Sequence, residues 1–405
     1  MELLSDEDIK SILEQCGTSK INLLNWYIRD YSNSLVGYLG EHLSLIVDTE
    51  SGSRTFFIKC VPRFDEWKAN YLRKTSFFNK EYVMLSKLFQ NFRDNKGLRT
   101  WRPKLLHIKE DLFVFEDVTQ TGYTMPSNLS TLSYDDIMAT VAALARFHAQ
   151  SFVYEEEQSK LLNRPYRLWE DYADSLSEPT NGMAWRDTGM RAAIDFLKVY
   201  SEFRSKQNFV KLIGEKIPKL FSRAWDLMEP STKYRNAVVH RDVWSNNIFL
   251  KKLDNDKMHA LLVDYQTVLY CAPALDLSSM IYMNTTKDFR LKNTKRMIDY
   301  YYGVLSNELE LENIDITSII KKSNFVESYT KSLIFGMTQA ALIVPIIAMT
   351  ADKRQELFQN PENCARVNEV SRSQEFIDIA EENKKYRNRV VELLDDLVET
   401  FCTQL

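Results

Sequence analysis

Side chains suited to phosphoryl transfer lie close together in one short part of the chain. An apolar run leads to His240 and Asp242, and Asn247 follows Asp242 by five residues. A second apolar run ends in Asp264. In phosphotransferases one carboxylate orients the attacking hydroxyl, while an amide and a second carboxylate hold Mg²⁺. The order and spacing therefore predict a phosphotransferase centre, with Asp242 as the catalytic base and Asn247 and Asp264 as Mg²⁺ ligands.

Each of these residues, taken alone, also has a purely structural interpretation. Asp242 could bind nearby backbone amides in a salt-bridged turn, and Asp264 could be a turn residue at the end of a strand. The ordered set favours catalysis over coincidence. His240 and Asp276 are predicted to support the centre, because Asp276 follows Asp264 by twelve residues and could accept hydrogen bonds from the catalytic loop.

A lysine near the amino-terminal end has the position expected of a phosphate-binding residue. Lys59 ends the run Thr-Phe-Phe-Ile-Lys, which follows a hairpin turn and precedes a helix that contains Glu81. A lysine on the third strand, paired with a glutamate on the next helix, grips the α- and β-phosphates of ATP. Glu81 is the predicted partner, and Glu66 is the competing one.

Two further groups of residues are predicted to contact the nucleotide. Gly37 and Gly40 lie just before a strand, where a turn could bring backbone amides to phosphate oxygens. A plain hairpin turn is the alternative interpretation. Glu116 and Val118 follow an apolar strand, and their backbone groups are predicted to meet the edge of the adenine.

The amino-terminal elements that must position these residues form a small lobe. Ser5 and Asp8 form a capping-box pattern that predicts a short first helix. Strands are predicted over residues 35–62, and a helix over residues 64–92. A further strand precedes Glu116, so residues 1–118 read as a nucleotide-binding lobe with a small antiparallel sheet.

The rest of the chain reads as a larger helical lobe over residues 119–405, which would contain the catalytic loop and the substrate pocket. A polar stretch at 119–128 predicts a hinge, and strands return only at 238–266. The last helix is predicted to run from about Gln374 to Phe401. Together the lobes predict an α+β, protein-kinase-like bilobal fold.

Composition excludes several classes of protein. The 52 Lys and Arg residues against 56 Asp and Glu residues give a net charge of −4, so no nucleic-acid partner is expected. The five cysteines are scattered and odd in number, which indicates reduced thiols in a cytoplasmic protein. The acidic amino terminus has no apolar core, so no secretory signal is expected.

One apolar segment, Leu333–Met349, has a composition that also suits a membrane span. The segment is short for a bilayer and contains Gln339 and Pro345. We therefore expect a buried helix that is kinked or ends near Pro345, and no membrane partner.

At these motifs the chain resembles the ecdysteroid-kinase-like family, also described as choline-kinase-like, which is abundant in insects. The resemblance covers nearly the full length and is carried by Phe-Ile-Lys59, the helix with Glu81, Phe115-Glu116-Asp117, Ala145-Arg-Phe-His148-Ala, His240-x-Asp242-x-Trp244-x-Asn-Asn247, Asp264-x-Gln266 and Asp276-Leu. The family is similar in fold to aminoglycoside and choline phosphotransferases, and so to protein kinases. The resemblance implies ATP-dependent phosphorylation of a small-molecule hydroxyl. Ecdysteroids are the named substrate class, and detoxification of xenobiotics is a further expectation.

Two residues depart from the family pattern. Arg241 stands where the family usually has glycine, and Tyr265 stands where it usually has phenylalanine. Neither departure removes a functional group, but Arg241 either crowds the site or hydrogen-bonds a loop. Trp244 and Gln266 replace residues typical of protein kinases, so a protein substrate is not expected.

The sequence thus predicts an ATP- and Mg²⁺-dependent kinase that acts on an ecdysteroid or a similar apolar alcohol, with no protein partner. Aromatic residues of the helical lobe could line an apolar pocket or simply form core: Tyr166, Trp169, Tyr172 and Trp185. Glu170, Asp171 and Asp187 leave open a cationic acceptor such as choline or an amino sugar. A xenobiotic kinase, or a non-catalytic nucleotide- or hormone-binding protein, is the remaining alternative.

Overall fold

The structure is a computed structural model with a small sheet-containing lobe and a larger helical lobe, an α+β kinase-like architecture. It describes residues 3–17, 22–32, 37, 39–93, 97–126, 131–179 and 184–402.

The small lobe is built on a five-stranded antiparallel sheet. Its elements are α1 (Asp6–Gln15), β1 (Leu23–Asp30), β2 (Glu41–Thr49), β3 (Gly52–Cys60), α2 (Glu66–Thr75), α3 (Phe77–Val83), a π-helical turn (Met84–Leu88), β4 (Leu105–Lys109) and β5 (Leu112–Glu116). The strand order is β1-β2-β3-β5-β4. The predicted capping box of α1 is present, because the side chains of Ser5 and Asp8 each bind the other's backbone N–H. The sequence did not predict β1 or β4.

Strand periodicity decides which way Lys59 faces. Phe56, Ile58 and Cys60 point to one side of β3 and join the core formed with α1. Phe57 and Lys59 therefore point to the other side, toward the helical lobe.

The helical lobe contains most of the chain. Its helices are α4 (Tyr134–Leu162), α5 (Trp169–Leu176), α6 (Ala184–Tyr200), α7 (Phe209–Asp226), α8 (Ala274–Asn284), α9 (Lys287–Glu310), α10 (Ile316–Ile319), α11 (Lys322–Ile347), α12 (Ala351–Phe358), α13 (Pro361–Glu369), α14 (Ser373–Glu382) and α15 (Lys384–Phe401). Two antiparallel strand pairs lie among them: β6 (Ala237–Val239) with β9 (Leu269–Cys271), and β7 (Ile248–Lys252) with β8 (Met258–Leu262).

Helix α11 contains the apolar segment that the sequence singled out. By length and composition this helix could cross a membrane, but 78% of its most apolar window is buried inside the fold. It packs against α8 so closely that a side chain at Gly336 would come within 2.8 Å of the Ser278 backbone. Pro345 lies two residues before the helix ends.

The last predicted helix is two helices in the structure. The prediction of one continuous helix from about Gln374 to Phe401 is wrong, because α14 ends at Glu382 and α15 begins at Lys384. The side chain of Asn383 accepts a hydrogen bond from the backbone N–H of Tyr386, so this residue caps a new helix instead of continuing the old one. The predicted hinge lies partly outside the described residues, which end at 126 on that side.

Candidate active site

The loop between β6 and β7 is held by a buried carboxylate. Asp276, at the start of α8, accepts hydrogen bonds from the backbone N–H groups of His240 at 2.6 Å and Arg241 at 2.8 Å. His148 lies 3.1 Å from the same carboxylate through Nε2, and its Nδ1 lies 2.6 Å from the hydroxyl of Tyr301. All of these groups are buried, so the loop backbone has a fixed conformation.

Lys59 joins the small lobe to the helical lobe through two carboxylates. Its Nζ lies 2.5 Å from Glu81 on α3 and 2.9 Å from Asp264, which follows β8. The partner of Lys59 is therefore Glu81 and not Glu66. Burial alone would lower the pKa of Lys59, but the carboxylates of Asp264 and Glu81 outweigh burial and raise it. Lys59 is therefore a permanent cation at the boundary of the lobes.

Asp264 has an unusual backbone conformation for a residue with a side chain. Its φ is +70°, in the left-handed region that few residues other than glycine adopt. Burial acts to raise the pKa of Asp264, but Lys59 holds it below its ordinary value. Gln266 donates a hydrogen bond of 3.2 Å to the second carboxylate oxygen. Asp264 is thus ionised and oriented.

Asp242 and Asn247 lie side by side on the loop between β6 and β7. Nδ2 of Asn247 donates to the backbone carbonyl of Asp242 at 2.8 Å. This bond commits the amide nitrogen and leaves the amide oxygen for another ligand. Burial and the nearby carboxylate of Asp264 raise the pKa of Asp242, which makes it a stronger base than an exposed aspartate.

The donor set suits a cation that the protein shares with a nucleotide. Among the described residues, no group of three or more His, Cys, Asp or Glu side chains could hold a metal alone. The oxygens of Asn247 and Asp264 are hard ligands, and Mg²⁺ is commonly bound by one or two protein groups together with phosphates and water. These two residues therefore fit Mg²⁺ when phosphates supply the remaining ligands.

A cavity between the lobes has the dimensions and lining of a nucleotide site. Its empty volume is about 830 Å³, and its lining includes the charged and polar residues Lys59, Glu81, Asn247 and Asp264. Apolar side chains also line it: Phe57, Phe115, Met125, Phe249 and Val263. Gly37, Glu116 and Val118 also line it.

A second cavity is lined in part by the loop between β6 and β7. It has an empty volume of about 1020 Å³, and Asp242 lies in its wall. Ten of its described lining residues are aromatic or aliphatic: Leu39, Trp67, Tyr71, Phe77, Trp185, Trp244, Ile343, Ile346, Ile347 and Phe358. Of the residues that the structure describes, four line both cavities: Gly37, Asn246, Asn247 and Asp264. The second cavity, hereafter the acceptor cavity, therefore meets the first where the candidate metal ligands lie.

Arg241 binds a neighbouring loop, as one of the two alternatives left open by the sequence predicts, and it also lines the acceptor cavity. Its guanidinium forms a buried ion pair with Glu178, in the loop after α5. Glu178 also binds Arg186 at 3.2 Å. Arg241 has a φ of +70°, a conformation that glycine adopts at no steric cost. The ion pair therefore stabilises an arginine in a backbone conformation suited to glycine.

Several residues singled out from the sequence lie away from the acceptor cavity. Glu170, Asp171 and Asp187 do not line it. Of the four aromatic candidates only Trp185 does, while the ring of Trp169 stacks on Tyr270 in the core. Gly40 packs near Lys59, where an added Cβ would lie 3.3 Å from the lysine Cε.

Sequence reasoning also missed residues of the site. His42 on β2 lines the nucleotide cavity, and burial together with Lys59 lowers its pKa to about 4, so the ring is neutral. Trp67 on α2 and Arg372 at the start of α14 line the acceptor cavity. The pattern of apolar residues in α2 and α14 indicated helices but could not show which side chains face a cavity.

A comparison with models of protein families shows which family the chain belongs to. The family model described as the ecdysteroid kinase-like family matches residues 38–314, well over half of the chain. The chain belongs to this family. The matched range contains Lys59, Glu81, Asp242, Asn247 and Asp264. The protein is accordingly a small-molecule kinase of the phosphotransferase fold.

Solved structures resemble the chain only weakly. An ethanolamine kinase from Plasmodium vivax matches 90% of this chain and 84% of its own length, at 12% identity and a TM-score of 0.43. An ADP-bound aminoglycoside phosphotransferase matches 84% of this chain and 99% of its own, at 14% identity and a TM-score of 0.35. A microcompartment-associated aminopropanol kinase matches 94% and 99%, at 10% identity and a TM-score of 0.34. A comparison with curated proteins finds no match.

Proposed function

We propose that the protein transfers the γ-phosphoryl group of ATP, with Mg²⁺, to a hydroxyl of an apolar small-molecule alcohol such as an ecdysteroid. One observation carries the proposal: Asn247 and Asp264 line both the nucleotide cavity and the acceptor cavity, and Asp242 lies in the wall of the latter. A phosphoryl group held at the metal ligands would therefore face an alcohol bound beside Asp242.

Each polar residue then has one role in the transfer. Mg²⁺ bound by Asn247 and Asp264 would neutralise the phosphates and the charge that develops on them. Lys59, fixed by Glu81, binds the phosphates next to it. Asp242 accepts the hydroxyl proton as the alcohol oxygen attacks, and its raised pKa suits this task. The buried contacts of Asp276 keep Asp242 in place.

The lining of the acceptor cavity supports an apolar acceptor over a cationic one. Among the residues described, its carboxylates are Asp242 and Asp264, which already have roles in the transfer. The same cavity contains two arginines, Arg241 and Arg372. Choline or an amino sugar would need further carboxylates to balance its charge. Aromatic and aliphatic walls suit a steroid-like body instead.

The first experiment identifies the acceptor without assuming it. A metabolite extract is incubated with the protein, ATP and Mg²⁺, and mass spectrometry records compounds that gain one phosphoryl group. The alcohol found is then used to measure ADP release with Mg²⁺ and with EDTA. We expect ADP release to require both the alcohol and Mg²⁺.

Asp242→Asn tests the catalytic assignment, because it keeps the shape of the side chain and removes the base. We expect turnover to fall on the order of 10²–10⁴-fold. Asp256→Asn is the matched control, since Asp256 lies exposed in the turn between β7 and β8 and pairs with Lys252. Unchanged turnover in Asp242→Asn would refute the role. If no alcohol gave ADP while ATP raised the melting temperature without Mg²⁺, a non-catalytic binding protein would replace the proposal.

A further inference from the structure

The wall of the acceptor cavity contains a buried cation, Arg372, for which the described residues supply no counterion. Arg372 precedes α14, lines the cavity and is 1% exposed. Its Nη2 donates to the backbone carbonyl of Trp185 at 2.8 Å. Its Nε and Nη1 have no hydrogen-bond partner in the part of the chain that the structure describes. Two of its three nitrogens therefore have unused donors.

The charge of Arg372 is also unbalanced. Across the described ranges no carboxylate forms an ion pair with it, whereas Arg241 in the same cavity is paired with Glu178. Burial lowers the pKa of Arg372 to about 10, which still leaves it protonated at neutral pH. A buried charge without a partner is strongly unfavourable. The arrangement is therefore that of a group whose partner arrives from outside the chain.

The local structure makes room for this guanidinium. Gly189 on α6 lies beneath it, and any side chain at that position would overlap Nη2. The rings of Trp185 and Phe376 flank the guanidinium carbon at 5.9 Å and 5.8 Å. The two rings and the space left by Gly189 hold the guanidinium in one orientation, which favours recognition of an oxygen at a defined position on a ligand.

We propose that Arg372 binds an oxygen acceptor of the substrate, a carboxylate or a carbonyl, borne on the apolar body away from the reacting hydroxyl. This inference rests on the proposed function, because it places the substrate in the acceptor cavity. It defines the substrate class as apolar alcohols with a second, negatively polarised oxygen. It also makes Arg372 a residue that selects against alcohols bearing an ammonium group.

Three matched probes test the inference: 10-hydroxydecanoate, 1-decanol and 10-amino-1-decanol. Calorimetry measures their dissociation constants on the full-length protein without ATP, so binding is read independently of turnover. Hydrogen bonds to charged groups contribute on the order of 1.5–3 kcal/mol, which corresponds to about 10-fold or more in affinity. We expect 10-hydroxydecanoate to bind more tightly than 1-decanol by that factor, and 10-amino-1-decanol to bind most weakly.

Arg372→Met should abolish the preference for the carboxylate. Arg389→Met is the control, because Arg389 on α15 is also buried and its Nε and Nη1 donate no hydrogen bond among the described residues. Unlike Arg372, Arg389 has a counterion, Glu392 at 3.6 Å, and it lines a different groove. The control should keep the preference. A structural role for Arg372 would instead lower the melting temperature without ligand and leave the order of affinities unchanged.

Each result decides the inference. Equal affinities of the wild type for the three probes would overturn it, as would an unchanged preference in Arg372→Met. If Arg372→Met does not fold, Arg372→Lys is measured instead; a reduced preference supports the inference, and an undiminished one overturns it. ADP release is assayed separately, so a carboxylate preference together with no ADP release from any alcohol would refute the proposed function and leave the role of Arg372 standing.

Discussion

Arg241→Gly should destabilise the protein even though it introduces the residue that the backbone prefers. A non-glycine residue at a φ of +70° costs about 1–2 kcal/mol, which glycine would recover. About 0.5–1 kcal/mol of this gain is lost again, because glycine has more conformational freedom in the unfolded chain. The change also removes the partner of Glu178, a buried carboxylate.

The lost ion pair outweighs the relief of strain. Removing one partner of a buried pair costs about 3–5 kcal/mol. The lower end applies because Glu178 keeps Arg186 at 3.2 Å. We therefore expect the free energy of unfolding to fall by about 2 kcal/mol, measured by urea titration.

A double-mutant cycle with Glu178→Gln separates the two contributions. Glu178→Gln alone leaves Arg241 and Arg186 without their shared carboxylate, so the two substitutions should be less than additive by about 1 kcal/mol or more. Ser76→Gly is the control for strain, since Ser76 has a φ of 57°, is exposed and makes no side-chain cap. It should change stability by less than about 1 kcal/mol. An additive cycle, with Arg241→Gly as stable as the wild type, would refute this account of Arg241.

Three further predictions concern the nucleotide cavity and the helix beside it. Lys59→Met should weaken ADP binding about 10-fold or more in calorimetry, because it removes a charged phosphate ligand. Lys104→Met, at an exposed position of the same lobe, should leave ADP binding unchanged. Equal losses of affinity in the two variants would contradict phosphate binding by Lys59. In Gly37→Ala the new Cβ would come within 2.5 Å of the ring of His42, so the affinity for ADP should fall. Adding His42→Ala should restore the affinity. If the affinity stays low in the double variant, the clash with His42 is not the cause of the loss. Burial lowers the pKa of Lys80 to about 7, while the unfolded value is about 10.4, so the unfolded chain binds more protons between these values. The stability of the wild type relative to Lys80→Met should therefore rise from pH 7 to pH 10, and a flat difference in urea titrations would show that Lys80 keeps its ordinary pKa.

The elements that the sequence predicted well are those with a regular buried face. Strands β2 and β3 are runs rich in apolar residues on either side of a glycine-containing turn, and α1 has its capping box, so their local patterns suffice. Strand β1 was missed because it lies at the edge of the sheet and is exposed along most of its length. The break at Asn383 was missed because apolar residues continue at helical spacing across it.

The amino-acid sequence by itself determined which chemical groups the protein has and the order in which strands present them: Lys59, Asp242, Asn247 and Asp264. Strand alternation and short motifs are local, so they can be read along the chain. Only the tertiary structure decided that Glu81 is the partner of Lys59, that Glu178 balances Arg241, and that Arg372 faces the acceptor cavity unbalanced. Such contacts join residues far apart in the chain. They depend on how the lobes and helices pack, and local sequence patterns do not show this packing.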